Sequence, residues 1–341
     1  MKRSNLIGTL FAGVVTLYAL ILLILLALSL GLSEDVPVVG MVKSVLQLAL
    51  LPSLALFPLS LLSRRWRLTI LMTPVILALI LMYGVYFVPR SVAAAANGET
   101  ILTLLSFNIE APPDDEMDSL VEIIRSSGAD MVGIQELSLP AAGRFNLALD
   151  DLYPYRALRP QEDRHQGQGF LSKYPIVADD YWRLETAPSL GHQRVEVTVD
   201  GRRVVVFNTH PIPPYSIGRG VQAVSHSREI DDLIQRANDE TAPVILLGDF
   251  NMTDQFDDYE RLTAQYVDTY REAGAIGFGF TYPTTSPIGN EWRMPPLLRI
   301  DYIFHDESFR GLSARVGQTS GSSDHLPLYA ELALVEASRG G

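Results

Sequence analysis

The sequence predicts an α/β domain built on mixed β-sheets, preceded by an all-α apolar region of three helices. Three observations predict it. Residues up to about Gly98 are dominated by Leu, Val, Ile and Ala, in three stretches. Beyond Thr100, short apolar runs of strand type alternate with segments of helical spacing. Six of those runs end in, or contain, a carboxylate, carboxamide or imidazole.

The apolar region comes first. Leu6 to Leu32 is uninterrupted, 27 residues against the ~20 that cross a bilayer. Val36 to Leu62 is apolar again, although Pro37, Lys43, Pro52 and Pro58 interrupt it. Leu68 to Val88 is the third stretch. A signal peptide accounts poorly for the first, because its apolar core is only ~7–15 residues long. Three spans, about 6–32, 36–62 and 68–88, put Lys2-Arg3 and the Arg64–Arg67 cluster on the same side of a membrane. The bias of basic loops towards the cytoplasm makes that side the inside, and the rest of the chain extracytoplasmic. If the second stretch did not span, the two basic clusters would fall on opposite sides. The expected organisation is a transmembrane region over 1–90, a small-residue linker over 91–99 and a domain over 100–336.

Charge follows this division. The chain has 27 basic and 39 acidic residues, seven and two of them before residue 99; the remaining 20 and 37 give the later domain a formal net of −17. A polyanionic partner is repelled by such a domain as a whole. There is no Cys, which excludes a disulfide framework and thiol chemistry.

Within the domain, Leu102 to Phe107 reads as a strand running into Asn108, with Glu110 two residues on. Leu120, Val121, Ile123 and Ile124 have helix spacing, and Gly128 suits the helix end. Met131 to Ile134 is a strand that meets Gln135-Glu136. His192 to Val199 and Arg203 to Asn208 form a hairpin turned at Asp200-Gly201, which leads into Asn208-Thr209-His210. Ile230, Leu233 and Ile234 mark a helix before the strand Val244 to Leu247. Gly248 lets the backbone turn, and Asp249 and Asn251, two apart, share a face. Asp301 lies in the strand pattern Ile300 to Phe304, and Ser323-Asp324-His325 precedes Leu326. Gly, Asp and Asn are also ordinary turn residues, so any one of these endings is weak evidence. Six together point to metal-assisted hydrolysis.

The motifs, in order, resemble those of the endonuclease/exonuclease/phosphatase superfamily: S-F-N at Asn108, Q-E at Glu136, Gly169 to Ile176, N-T-H at His210, G-D-F-N at Asp249 and Asn251, R-I-D-Y-I-F from Arg299, and S-D-H at Asp324-His325. Glu110 stands where several relatives carry Asp. The resemblance covers about Thr100 to Leu334 and implies a four-layer sandwich, two packed sheets with helices outside. Three apolar stretches ahead of such a domain resemble a teicoplanin-resistance-type membrane branch.

The resemblance also implies roles. Glu136 is the primary ligand for a hard divalent cation, Mg²⁺ or Mn²⁺, with Asn108 and Asp324 beside it. His325 acts as base or phosphate contact, oriented by Asp301; Asp249 aligns or deprotonates the water; Asn251 and His210 hold non-bridging oxygens. Arg194 and Asn208 are carried as substrate contacts, with structural pairing the alternative for Arg194 and a scaffold role the alternative for Asn208. His165, His192, His226 and His305 have no motif support and read as ordinary.

The expected activity is therefore a membrane-anchored, Mg²⁺-dependent phosphoesterase acting on a lipid-linked phosphate. Three segments look elaborated, Asp179–His192, Pro211–His226 and Pro283–Pro296, and Trp182, Tyr215, Trp292, Met294, Leu297 and Leu298 in or beside them are candidates to rest on an apolar tail. An extracytoplasmic nuclease is the first alternative, and a basic groove beside the site would mark it. A non-catalytic scaffold is the second, and decayed motifs would mark that.

Overall fold

The computed structural model describes residues 2–34, 36–92, 94–96, 98–110, 116–185, 189–216, 220–285 and 292–335. Contacts divide the chain into two units, Met1–Val88 with Gln255–Asp257, and Pro89–Asp254 with Asp258–Gly341.

The first unit contains helices α1 (Lys2–Gly31), α2 (Pro37–Leu50), α3 (Ser53–Leu62) and α4 (Trp66–Tyr83), the last extended by a 3-10 turn over Gly84–Phe87. Leu6–Gly31 and Trp66–Phe87 are each long and apolar enough to cross a membrane. The second apolar stretch departs from the expected single helix over 36–62. It forms α2 and α3, bent by 47° at their junction, so the spans number three only if the pair counts as one. Pro52 at the break explains the bend, because proline offers no backbone N–H and its ring crowds the preceding turn.

In the second unit the strands are β1 (Thr100–Asn108), β2 (Met131–Gln135), β3 (Tyr155–Arg159), β4 (Gln168–Ser172), β5 (Ile176–Trp182), β6 (Gly191–Val199) and β7 (Arg202–His210). They continue with the short pair β8 (Tyr215–Ser216) and β9 (Gly220–Val221), then β10 (Val244–Asp249), β11 (Val267–Asp268), β12 (Asp301–His305), β13 (Phe309–Val316) and β14 (Leu328–Leu334). The helices are α5 (Met117–Ser126), α6 (Leu139–Ala148), α7 (Ala223–Asn238), α8 (Asp257–Thr263) and α9 (Thr269–Glu272). One six-stranded sheet has the order β13-β14-β1-β2-β4-β3, the other β11-β12-β10-β7-β6-β5. Only β1–β2 and β7–β10 pair in parallel among the sheet neighbours described, so both sheets are mixed. The β6–β7 hairpin turns at Asp200 and Gly201, whose φ of 48° and 81° are what a type I′ turn requires.

Side-chain alternation along the strands builds the layers. Leu102 and Leu104 of β1, Val204 and Val206 of β7, Ile245 and Leu247 of β10 and Ile303 of β12 point between the sheets and form one core. Leu105 and Phe107 of β1 point the other way, into a second core with α5 and α6. On the outer side of the second sheet, α7 buries Ile230, Leu233 and Ile234. The result is two packed sheets with flanking helices.

Candidate active site

The same alternation carries the chemistry into the cleft between the sheets. Continuing each inward row in steps of two brings Asn108 on β1, Asn208 and His210 on β7 and Asp249 on β10 to that face, with Asp301 opposite Asp249 on β12. The chain turns sharply where these strands end. Glu110, Glu136 and Asn251 have φ of 53°, 58° and 52°, the left-handed region that such residues seldom occupy and that clusters at functional sites. Gly248 has a φ of +147°, and a Cβ there would lie 2.0 Å from the Thr209 carbonyl oxygen, so only glycine lets β10 deliver Asp249 this close to β7.

Asp249 is at the centre. Asn108 Nδ2 donates to Asp249 Oδ2 at 3.0 Å and approaches Glu136 Oε1 at 3.3 Å. His210 Nε2 is 3.4 Å from Asp249 Oδ2, and His325 Nε2 is 3.6 Å from the same oxygen. His325 Nδ1 is 2.9 Å from Asp301 Oδ2. Asn251 donates its backbone N–H to Asp249 Oδ1 at 2.9 Å and its carboxamide to the Pro211 carbonyl at 3.0 Å, next to His210. Asp324 Oδ1 lies 3.8 Å from His325 Nε2. Glu136, Asn108, His210, Asp249, Asn251, Asp301, Asp324 and His325 therefore converge.

Burial and charge divide the roles. Burial alone would lower the His325 imidazole, but Asp301, Asp249 and Asp324 more than offset it and hold it well above its ordinary 6.5. Burial alone would raise Asp249, but His325 and His210 hold it below its usual range. Asp301 is pushed up, chiefly by burial. Glu110 is pushed up to about 7, first by burial and then by Asp324 and Glu136.

One buried group of side chains has the spacing to hold a cation, and a second has the donor chemistry. Asp249, Asp301 and His325 each offer a ligand atom within 4.8 Å of the others, and this buried trio could hold a metal. Glu110, Glu136 and Asp324 make a second set of hard oxygen donors; Asn108 beside them turns its Nδ2 to Glu136, while its Oδ1 accepts the Glu110 backbone N–H at 3.0 Å. The mutual repulsion of the carboxylates is the condition a divalent cation relieves, and the donor type suits Mg²⁺ or Mn²⁺.

Two candidate substrate contacts have protein partners of their own. Asn208 is fully buried and saturated: Oδ1 accepts from Gln135 Nε2 at 2.6 Å, and Nδ2 donates to the Ile134 and Gly169 carbonyls, both at 3.0 Å. It ties one sheet to the other. Arg194 is on the outer face of β6, since Val195 and Val197 take the inner one. Its guanidinium is held by Glu240 and Glu196. Trp182 is likewise a packing residue, stacked on His192 at 5.1 Å with Nε1 donating to Asp232 at 2.8 Å. Trp292 is exposed. Parts of the elaborated segments, 186–188, 217–219 and 286–291, lie outside the described residues, as do linker positions 93 and 97 and residue 336.

The structure adds three residues that the motifs did not assign. Glu110 Oε2 accepts the Asp324 backbone N–H at 3.0 Å; its position two beyond Asn108 was a usable signal. The Tyr282 ring lies 4.7 Å from that of His325. His165 Nδ1 is 2.7 Å from Glu136 Oε2. Neither ring belongs to a strand-end pattern.

Comparisons with known proteins agree with this architecture. The sequence model of the Endonuclease/Exonuclease/phosphatase family matches residues 105–325, well over half of the chain. A family protein from Bacteroides vulgatus is similar in structure, with a TM-score of 0.56 and 22% identity over 69% of this chain and 100% of that one. Truncated TDP2 from Caenorhabditis elegans gives 0.55 and 17%, over 68% and 98%. A family protein from Beutenbergia cavernae gives 0.53 and 22%, over 70% and 73%. At these identities the likeness speaks for the fold alone. No curated protein matches the chain. The ordered motifs, the two packed sheets and the extent of the match establish that the chain belongs to the Endonuclease/Exonuclease/phosphatase family, with that family's hydrolase fold.

Proposed function

We propose that the protein is a membrane-anchored, divalent-metal-dependent phosphoesterase that hydrolyses a lipid-linked phosphate ester or pyrophosphate. One observation carries the hydrolytic reading: Asp249, buried yet held ionised, faces two imidazoles and a carboxamide at the strand ends between the sheets. Asp249 accepts the proton of the attacking water. His325, held protonated by its carboxylate neighbours, donates to a phosphoryl oxygen, and Asp301 fixes its ring through Nδ1. His210 and the second N–H of Asn251 hold the remaining non-bridging oxygens. A cation on Glu136, Asn108 and Asp324, with Glu110, supplies charge neutralisation when bound. Glu110, Asp324 and Glu136 repel one another, and a cation relieves that repulsion, so the acidic set is the better cation site of the two.

The lipid reading has separate support. A linker of about ten residues reaches at most ~35 Å, which keeps the domain near a bilayer surface. The domain's formal net of −17 opposes DNA. The layout resembles the teicoplanin-resistance-type branch, for which a cell-wall lipid pyrophosphate is a fitting substrate class. The test uses purified full-length protein in detergent, offered lipid-linked phosphates and pyrophosphates, double-stranded DNA and soluble nucleotides, with Mg²⁺ or EDTA. Hydrolysis of a lipid substrate that EDTA abolishes and Mg²⁺ restores is expected. Efficient DNA degradation with every lipid substrate untouched would install the nuclease reading instead, and full activity in EDTA would remove the metal.

A further inference from the structure

His165 belongs to no strand, and its loop carries no motif. It lies in a 3-10 turn, Arg164–Gln166, and its Nδ1 is 2.7 Å from Glu136 Oε2. A carboxylate that ligates a cation is an acceptor only, so the imidazole is the donor in this pair. The other oxygen, Oε1, faces Asn108 and His210.

The turn is clamped against the chain that follows Glu136. Leu137 donates its backbone N–H to the Gly167 carbonyl at 3.0 Å. A Cβ on Gly167 would lie 1.9 Å from the Leu137 carbonyl oxygen. Tyr181 donates its hydroxyl to the Gln166 carbonyl at 2.9 Å, and the His165 N–H is capped by Asp163 Oδ1 at 3.2 Å. A turn fixed at both ends presents one imidazole to one carboxylate oxygen. That carboxylate stands on a left-handed backbone, φ 58°, a sparsely populated conformation that surrounding contacts must hold.

We propose that His165 is a positioning residue for Glu136: by donating to Oε2 it orients the carboxylate and fixes the site's affinity for a divalent cation. The inference rests on the reading of Glu136 as a metal ligand. Residues that donate to a ligating group commonly change metal affinity 10–100-fold when removed. The His165 side chain is 37% exposed, so its truncation leaves no core cavity.

The experiment is Mn²⁺ binding by the full-length protein in detergent, followed by the loss of the free-ion electron paramagnetic resonance signal. Wild type, Glu136→Gln, His165→Ala and His165→Asn are compared, with circular dichroism to confirm folding. The Asn carboxamide nitrogen takes the place of Nδ1 and can donate the same bond. Mn²⁺ affinity should fall about tenfold or more in His165→Ala and largely return in His165→Asn. Wild-type affinity in His165→Ala overturns the inference and leaves the metal reading intact. Equal losses in both His165 variants overturn it too, since a lost metal ligand rather than a lost donor would explain them. If wild type binds no Mn²⁺, or Glu136→Gln binds it equally well, the metal reading fails and takes this inference with it.

Discussion

Asp249 and Asp301 stand opposite each other across the β10–β12 ladder, and the His325 ring lies against both, 3.6 Å from one carboxylate and 2.9 Å from the other. Two buried carboxylates this close do not share the same preference. Asp249 faces two imidazoles and stays ionised, whereas Asp301 is pushed up by burial. Such a split is how one site obtains different work from identical side chains. Asp249→Asn should lower kcat about 10³-fold, within the range for loss of a general base, with circular dichroism unchanged. Asp301→Asn should cost less, because His325 keeps a partner but loses the charge that holds it. Retention of near wild-type kcat by Asp249→Asn would exclude it as the base.

Asn208 gives the opposite expectation. Replacing it with Ala removes the shorter of the two bonds of Gln135 Nε2, which keeps only Ser106 Oγ at 3.4 Å, and takes a donor from the carbonyls of Ile134 and Gly169 in a fully buried layer. Each unsatisfied group costs about 1–3 kcal/mol, so a total loss of about 3 kcal/mol or more is expected in chemical unfolding, with KM little changed. A many-fold rise in KM at unchanged stability would instead make Asn208 a substrate contact.

Alternation explains how much of this was legible in the sequence. Asn108, His210 and Asp249 follow inward rows that begin at Leu102, Val204 and Ile245, so the period of two carries them to the cleft without knowledge of the loops. The same rule places Arg194 outside, because Val195 and Val197 are inside. There Arg194 pairs with Glu240 and Glu196, the structural alternative that the sequence left open. His165 and Tyr282 were not legible. One is delivered by a turn whose anchors, Tyr181 and Leu137, lie well away in sequence, and the other by an isolated bridge to Leu298. The bend between α2 and α3 was half legible, since Pro52 was visible but its consequence for the span was not.

That bend makes the topology a direct test. If α2 and α3 together cross the bilayer, the basic clusters at Lys2-Arg3 and Arg64–Arg67 share the cytoplasmic side and the catalytic domain is outside. A reporter active only outside the cytoplasm, fused after Gly341, should then be active. A silent reporter, with a cytoplasm-active one functional at the same position, would mean that the pair re-enters without crossing.

His226 supplies the last expectation. It is fully buried, with Nδ1 2.7 Å from Asp258 Oδ2 and Nε2 2.9 Å from the Phe250 carbonyl. Both partners are acceptors, so the ring must donate from both nitrogens and carry a charge. Its pKa is raised above 6.5; burial opposes this, and Asp258, the Phe250 carbonyl and Glu229 outweigh it. Asp258, which also pairs with Arg261, is lowered below 3.8 against the cost of its own burial. The signs follow. The His226 contribution is complete below its unfolded pKa of 6.5 and is lost as pH rises through the raised folded value. That of Asp258 is complete above 3.8 and is lost as pH falls through the lowered one. His226→Gln removes the titration, so its stability deficit relative to wild type should be largest below the unfolded value of 6.5 and shrink as pH rises through the raised folded one. A deficit that stays constant over that range would show that the ring does not gain a proton on folding. Phe250 lies between Asp249 and Asn251, so the proton lost from His226 at high pH also frees the carbonyl that pins the catalytic turn. Activity should therefore fall on the alkaline side together with stability in the wild type, and the alkaline fall should be shallower in His226→Gln.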